Sequence, residues 1–243
     1  LVHSYAGYRL AEHPELGKML ALSDRLLVSA FCPHIHADGR VEGYFRHIPA
    51  IDSSAAAYIF DSETYARELT GMYGLEPVRV HSLKYPIAAA GTRPPGIEHG
   101  KTVLWASRLD FQKNPGLVFE IAKNLPETMF HIYGRSVMSD DEFSWAAAPP
   151  NVLYKGEFFG FSSITIDEYC LFLYTARFDG MPNIILEVAA AGLPIVTSAV
   201  GGIPEFIGPA EGVLVADSCC VDEYVAGLRL LLGSRELRMS MSE

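Results

Sequence analysis

The sequence predicts an α/β chain whose larger part is a doubly wound domain built on a parallel sheet. From Thr102 onward, short β-branched apolar runs alternate with helix-like stretches across loops of a few residues. Those runs are continuously apolar rather than alternating, which suits strands covered on both faces. Of the 243 residues, 49% are hydrophobic, enough to bury a sizeable core.

Taken in order, RLLVSAF (25–31) and AAYIFD (56–61) read as strands. SETYARELTGMYG reads as a helix opened by Ser62 and ended at Gly74, followed by a strand over VRVHSL (78–83). These belong to a first α/β portion, residues 1–88. AAAGTRPPGIEHG, rich in Gly and Pro and without period, reads as a linker over 89–100. The second domain, 101–243, has strands at 102–107, 128–134, 151–156, 168–175, 193–199 and 212–216. Between them lie the helix-like PGLVFEIAKNL, SDDEFSWAAA, NIILEVAAAG and IPEFIG, and helices over Val221–Leu232 and Glu236–Ser242 close the unit.

Charge narrows the function classes. Nineteen Lys and Arg against 29 Asp and Glu give a net charge of −10, which argues against a nucleic-acid binder. A small anionic ligand needs only a few local cations and stays open. Four cysteines (Cys32, Cys170, Cys219, Cys220) are too scattered for a disulfide framework and fit a reducing cytoplasm. The longest apolar stretch, Ile184 to Val200, is broken by Glu187, Gly192 and Pro194 and falls short of a membrane span. The N-terminus lacks the basic-then-apolar pattern of a signal peptide and begins with Leu1. In CPHIHAD, Cys32, His34, His36 and Asp38 alternate, a zinc set if they lie on a strand; Pro33 and Gly39 favour a loop with incidental histidines.

Three loops follow the C-terminal ends of predicted strands, where open α/β sheets bind ligands. The first, Ser107–Asn114, carries Arg108 and Lys113. The second, Phe178–Glu187, has Asp179 and Glu187 separated by seven residues, with Gly180 and Met181 between them and Pro182 at the expected first helical position. The amides of Asn183, Ile184 and Ile185 then form the open N-terminus of a helix, a ready anion site. Asn183 and Glu187 are four apart and share a face. The third loop is Val200–Glu205, with Gly201 and Gly202. Singly, each feature has a plainer reading: Arg108 and Lys113 as solvated loop cations, Asp179 as a charge near a helix start, Glu187 as helix surface, the glycines as a tight turn. Jointly, cations, amides and carboxylates for diols describe a pocket for a nucleotide-diphosphate-sugar.

LWASRLDFQKNPGLVFEIAKNLP, FLYTARFDGMPNIILEVAAAGLPIVTSAVGGIPEFI and EGVLVAD resemble the C-terminal, Rossmann-like domain of the group 1 (family 4) retaining glycosyltransferases of GT-B fold. The likeness is dense over 101–216, and residues 50–88 are similar to the last βαβ unit of that family's N-terminal, acceptor-side domain. The resemblance implies that Arg108 and Lys113 neutralise the donor diphosphate. It implies that Glu187 holds the ribose and Asp179, standing where the family has Glu, addresses the sugar. Gly180 and Met181 fall within the same donor-binding stretch.

It further implies a metal-independent transfer, without a cofactor, from a nucleotide sugar to a lipid-linked or other hydroxyl acceptor. Polysaccharide assembly in the cytoplasm, with peripheral association at the inner membrane face, goes with that. The family's glycine-rich acceptor loop and long closing helix are not found, so the chain reads as truncated at both ends. Alternatives from other classes are a non-catalytic nucleotide- or glycan-binding module and a GT-B-fold epimerase or phosphorylase. Dinucleotide, P-loop and hydrolase-elbow motifs are absent from the sequence.

Overall fold

The computed structural model describes residues 2–5, 26–30, 34–35, 41–42, 52, 55–84, 86, 94–136 and 143–242. The chain forms two compact units. Leu1–Tyr85 with Asp179–Met181 make the first, and Pro86–Phe178 with Pro182–Glu243 make the second.

In the first unit, β1 (Val2–Tyr5), β2 (Leu26–Ala30), β5 (Ala55–Phe60) and β6 (Val80–Ser82) form a parallel sheet in the order β1-β2-β5-β6. The short β3 (His34–Ile35) and β4 (Val41–Glu42) pair antiparallel. Helix α1 (Glu63–Tyr73) starts where Ser62 Oγ accepts the Tyr65 amide at 3.2 Å and ends at Gly74, whose φ of 63° is left-handed. Both ends agree with the sequence reading. The strand expected over 78–83 is shorter, because Pro77–Arg79 make a 3-10 turn first. Val28, Tyr58, Phe60, Tyr65, Leu69 and Leu75 are this unit's core. Of the alternating Cys-His set, only His34 falls among the described residues.

The second unit is a six-stranded, wholly parallel sheet in the order β12-β11-β10-β7-β8-β9. Its strands are β7 (Thr102–Ala106), β8 (Met129–Tyr133), β9 (Val152–Gly156), β10 (Leu171–Tyr174), β11 (Ile195–Ser198) and β12 (Gly212–Val215). Period-two alternation divides the core between the two faces. Val103, Trp105, Phe130, Ile132, Leu171, Leu173 and Val196 pack with α3 (Pro115–Lys123) and α5 (Val221–Gly233). Leu104, Ala106, Phe172, Tyr174 and Ile195 pack with α2 (Gly96–His99) and α4 (Asn183–Ala190). A sheet buried on both sides explains the continuous apolarity of its strands.

Three expectations need correction. Within 89–100, expected as a linker, Gly96–His99 form α2, and Ile97 is fully buried in the second unit's core. Gly96 is required there, since a Cβ would stand 2.6 Å from the Tyr169 carbonyl oxygen. The expected helix over SDDEFSWAAA is not helical in its described part, 143–148. Phe143 and Trp145 instead lay their rings against Phe119, with centroids 5.3 and 5.8 Å away, and Pro149–Pro150 follow at once. IPEFIG contributes only a 3-10 turn, Ile203–Glu205. The last described helix, α6 (Arg235–Ser240), begins one residue before and stops two residues short of the expected Glu236–Ser242.

Candidate functional site

The β7–α3 loop begins where Ala106 leaves the sheet beside β10. It is organised around Asp110, whose Oδ1 accepts the Lys113 amide at 3.0 Å and whose Oδ2 pairs with Arg108 Nη1 at 3.1 Å. Asn114 closes the loop at φ 51°, a left-handed conformation that Asn tolerates better than most residues. Pro115 then opens α3.

Arg108 and Lys113 have different surroundings. The Arg108 side chain is 36% exposed, and its Nη2 donates to Gln112 Oε1 at 2.6 Å. Lys113 is only 7% exposed, which corrects the picture of two cations on an open loop. Its Nζ donates to the Tyr174 hydroxyl at 2.8 Å and stands 5.4 Å from that ring's centroid. Tyr174 ends β10 and is itself fully buried. A buried ammonium is costly to desolvate and is kept where polar partners hold it, so the plain reading of Lys113 as a solvated cation fails.

The β10–α4 loop is tied to the β7–α3 loop. The Thr175 hydroxyl donates to the carbonyls of Lys113 and Asn114 at 2.9 and 3.1 Å, and accepts Trp105 Nε1 at 3.0 Å. The Arg177 amide donates to Gln112 O at 2.8 Å, and Gln112 Nε2 donates to Phe178 O at 3.1 Å. Arg177 lies 4.7 Å from the Phe111 ring centroid and donates to Asn114 Oδ1 and Cys219 Sγ at 3.0 and 3.1 Å.

Asp179–Met181 group with the first unit. Asp179 is buried, with Oδ1 accepting the Gly180 amide at 3.1 Å. The Met181 amide donates to Asp61 Oδ2 at 3.2 Å, and a Cβ on Gly180 would stand 2.7 Å from the same oxygen. Gly180 is thus needed for a close approach to Asp61, and the Met181 amide is committed to it.

Helix α4 opens one residue later than expected. Pro182 is its cap, with extended ψ of 124°, and the Pro182 carbonyl accepts the Ile185 amide at 3.0 Å. The expected trio of open amides is therefore a pair, Asn183 and Ile184, with no acceptor among the described residues. Asn183 is exposed, whereas Ile185, Leu186 and Val188 are buried beneath the helix. Glu187 is half-buried, and burial raises its carboxyl pKa. Gly201 takes φ 55° in the turn that precedes Ile203–Glu205.

Sequence reasoning passed over Gln112, Tyr174 and Asp61. Tyr174 sat inside an apolar strand, and Gln112 and Asp61 carry no motif of their own. Among the described residues, no cluster of His, Cys, Asp or Glu could hold a metal ion. Among them, too, no helix is long and apolar enough to cross a membrane.

A parallel α/β sheet with cations on one strand-end loop and an open helix N-terminus on the next is an arrangement that can take an anionic ligand. The chain belongs to the family of glycosyl transferases group 1, which it matches over residues 93–243. No curated protein matches the sequence. Its fold is that of GT-B glycosyltransferases. It is similar to Anabaena HepE in complex with UDP at 12% identity and a TM-score of 0.74, covering 97% of this chain and 74% of that one. With the lipopolysaccharide outer core galactosyltransferase WaaB the figures are 19%, 0.68, 96% and 75%. With S. aureus TarM, in complex with fondaparinux, alpha-GlcNAc-glycerol and UDP, they are 16%, 0.72, 90% and 46%. The chain thus spans less than half the length of TarM, and at these identities the likeness concerns the fold.

Proposed function

We propose that this chain binds the donor of a retaining, metal-independent glycosyltransferase: a nucleoside diphosphate sugar, with its diphosphate against the β7–α3 loop and the N-terminus of α4. The supporting observation is the interlock of two strand-end loops within one unit, which brings Arg108 and Lys113 beside the loop that leads into α4. Arg108, Lys113 and the Asn183 and Ile184 amides take the diphosphate. Glu187, on the Asn183 face of α4, takes the ribose diol. Asp179 takes the sugar, as the family resemblance implies.

As the glycosidic bond breaks, charge grows on the outer phosphate while the sugar carbon becomes cationic. Donors already aimed at that phosphate stabilise the transition state more than the ground state, and one such donor is worth roughly 10²–10³ in rate. The departing phosphate then accepts the proton of the incoming hydroxyl, so no side-chain base is required. UDP in several structural relatives makes it the first nucleotide to try. A hydroxyl acceptor in glycan assembly, at the cytoplasmic face of a membrane, completes the proposal.

Calorimetric titration with UDP, GDP, ADP and their sugars tests the binding step. The expected result is micromolar to sub-millimolar affinity for one base; no binding at millimolar concentration overturns the reading. Asp179, one methylene shorter than Glu, supports a second reading, a module that binds the donor without turning it over. Anomer-resolved NMR of donor plus acceptor extract separates them, since only the transferase produces a retained glycoside.

A further inference from the structure

We infer that Gln112 is a positioning residue for the donor diphosphate, coupling the loop that carries Arg108 to the loop that leads into α4. The inference rests on the donor-binding reading and assigns a role to a residue that the cation and carboxylate pattern leaves out.

Gln112 is almost fully buried, and both ends of its side-chain amide and its backbone carbonyl bond to residues of the two loops. Its Oε1 accepts Arg108 Nη2 at 2.6 Å, its Nε2 donates to Phe178 O at 3.1 Å, and its own carbonyl accepts the Arg177 amide at 2.8 Å. A guanidinium only donates and a carbonyl only accepts, so these partners fix which end of the amide is which. No other residue type of this length offers one acceptor and one donor at the tip. Glu would turn an oxygen against Phe178 O, and Lys would repel Arg108.

The consequence is mechanical. Arg108 is partly exposed, and a free arginine side chain carries rotamer entropy that binding an anion would have to remove. Gln112 and Asp110 together hold two of its nitrogens before any ligand arrives. The same amide fixes the carbonyl of Phe178, the residue immediately before Asp179. Gln112 therefore holds the Arg108 guanidinium and the Phe178 backbone in one register, which favours preorganised binding.

The test is a double-mutant cycle on the whole chain. Wild type, Gln112→Met, Arg108→Ala and the double variant are titrated with UDP, GDP and ADP, and with uridine, guanosine and adenosine. Thermal melts check folding. Gln112→Met should weaken the bound diphosphate by about tenfold, the order expected for loss of a charge-assisted contact. Its effect on the matching nucleoside should be less than twofold, and the effect should largely vanish in the Arg108→Ala background, because Gln112 acts through Arg108. Gln112→Asn, which keeps the amide but withdraws it by one methylene, should show the diphosphate-specific loss in smaller measure and serves if the Met variant does not fold. Equal losses for nucleoside and diphosphate, additive effects in the cycle, or no loss at all would overturn the inference while leaving the donor reading standing. If wild type binds none of the three diphosphates, the donor reading falls and this inference with it.

Discussion

Lys113 shows how one residue's surroundings change what its substitution should do. Its stem and ammonium are buried against Tyr174, so truncation to Ala would remove packing as well as charge. Lys113→Met keeps the stem and isolates the charge. We expect it to reduce nucleoside diphosphate affinity by about tenfold or more, from the loss of a charged hydrogen bond, with nucleoside affinity nearly unchanged in the same calorimetric titrations. Glu187 carries the opposite tension. Burial raises its pKa, so the folded chain holds that proton more tightly than the unfolded chain does. Stability therefore falls as pH rises from the ordinary carboxylate range through the raised value, and the cost persists at neutral pH. Glu187→Gln should raise the melting temperature of the ligand-free chain at pH 7 and leave it nearly unchanged at pH 4. The same variant should lose more affinity for a ribonucleotide than for its 2′-deoxy form, because only the former offers the full diol. Equal losses for both would reassign Glu187 to the helix surface.

At the scale of elements, the sequence was most legible where one physical cause acts locally. Ser62 and Gly74 mark the ends of α1 because cap chemistry depends on a few consecutive residues. The strands of the second unit are legible because both sides of the sheet are covered, which removes the ambiguity of alternation. Legibility failed where distant partners decide. Gly96–His99 has the composition of a linker, yet it is helical because Arg238, far along the chain, grips it. The Arg238 guanidinium is buried and donates to the carbonyls of Ile97, Glu98, Leu231 and Leu232, joining α2, α5 and α6. Phe143 and Trp145 are drawn into an aromatic cluster that no helical period describes. In the candidate site the charged residues were legible from residue type and spacing, whereas the buried state of Lys113 and the bridging amide of Gln112 depend on β10 and its loop. Arg238→Met tests the long-range cause. It leaves the Ile97 carbonyl without the Arg238 donor and the Leu231 carbonyl with the Ser234 amide alone, so chemical denaturation should show a loss on the order of 3 kcal/mol. A loss within experimental error would mean that α2 is held by Ile97 burial instead.

For the whole molecule, two units with separate cores bear on how ligand binding should be seen. Each unit buries its own apolar cluster, and the chain passes between them at only a few points, so a single two-state transition is not expected. Both tryptophans of the sequence, Trp105 and Trp145, lie in the second unit. Trp105 is fully buried at the end of β7, one hydrogen bond from Thr175 in the site loops. Tryptophan emission therefore follows that unit, while far-UV circular dichroism follows both. A ligand that binds only the folded second unit stabilises it by RT ln(1 + [L]/Kd), about 2.7 kcal/mol at one hundred times Kd. Saturating nucleoside diphosphate should move the emission-detected transition upward by several degrees, and circular dichroism should split into a shifted and an unshifted component. Gln112→Met and Lys113→Met should each reduce the shift at fixed ligand, because both weaken the same contact. If both probes move together, the units unfold as one body and ligand binding is felt by the entire chain. If neither moves at a concentration that saturates binding in calorimetry, the ligand is held equally well by the unfolded chain, and the site built on β7, β10 and α4 is not where it binds.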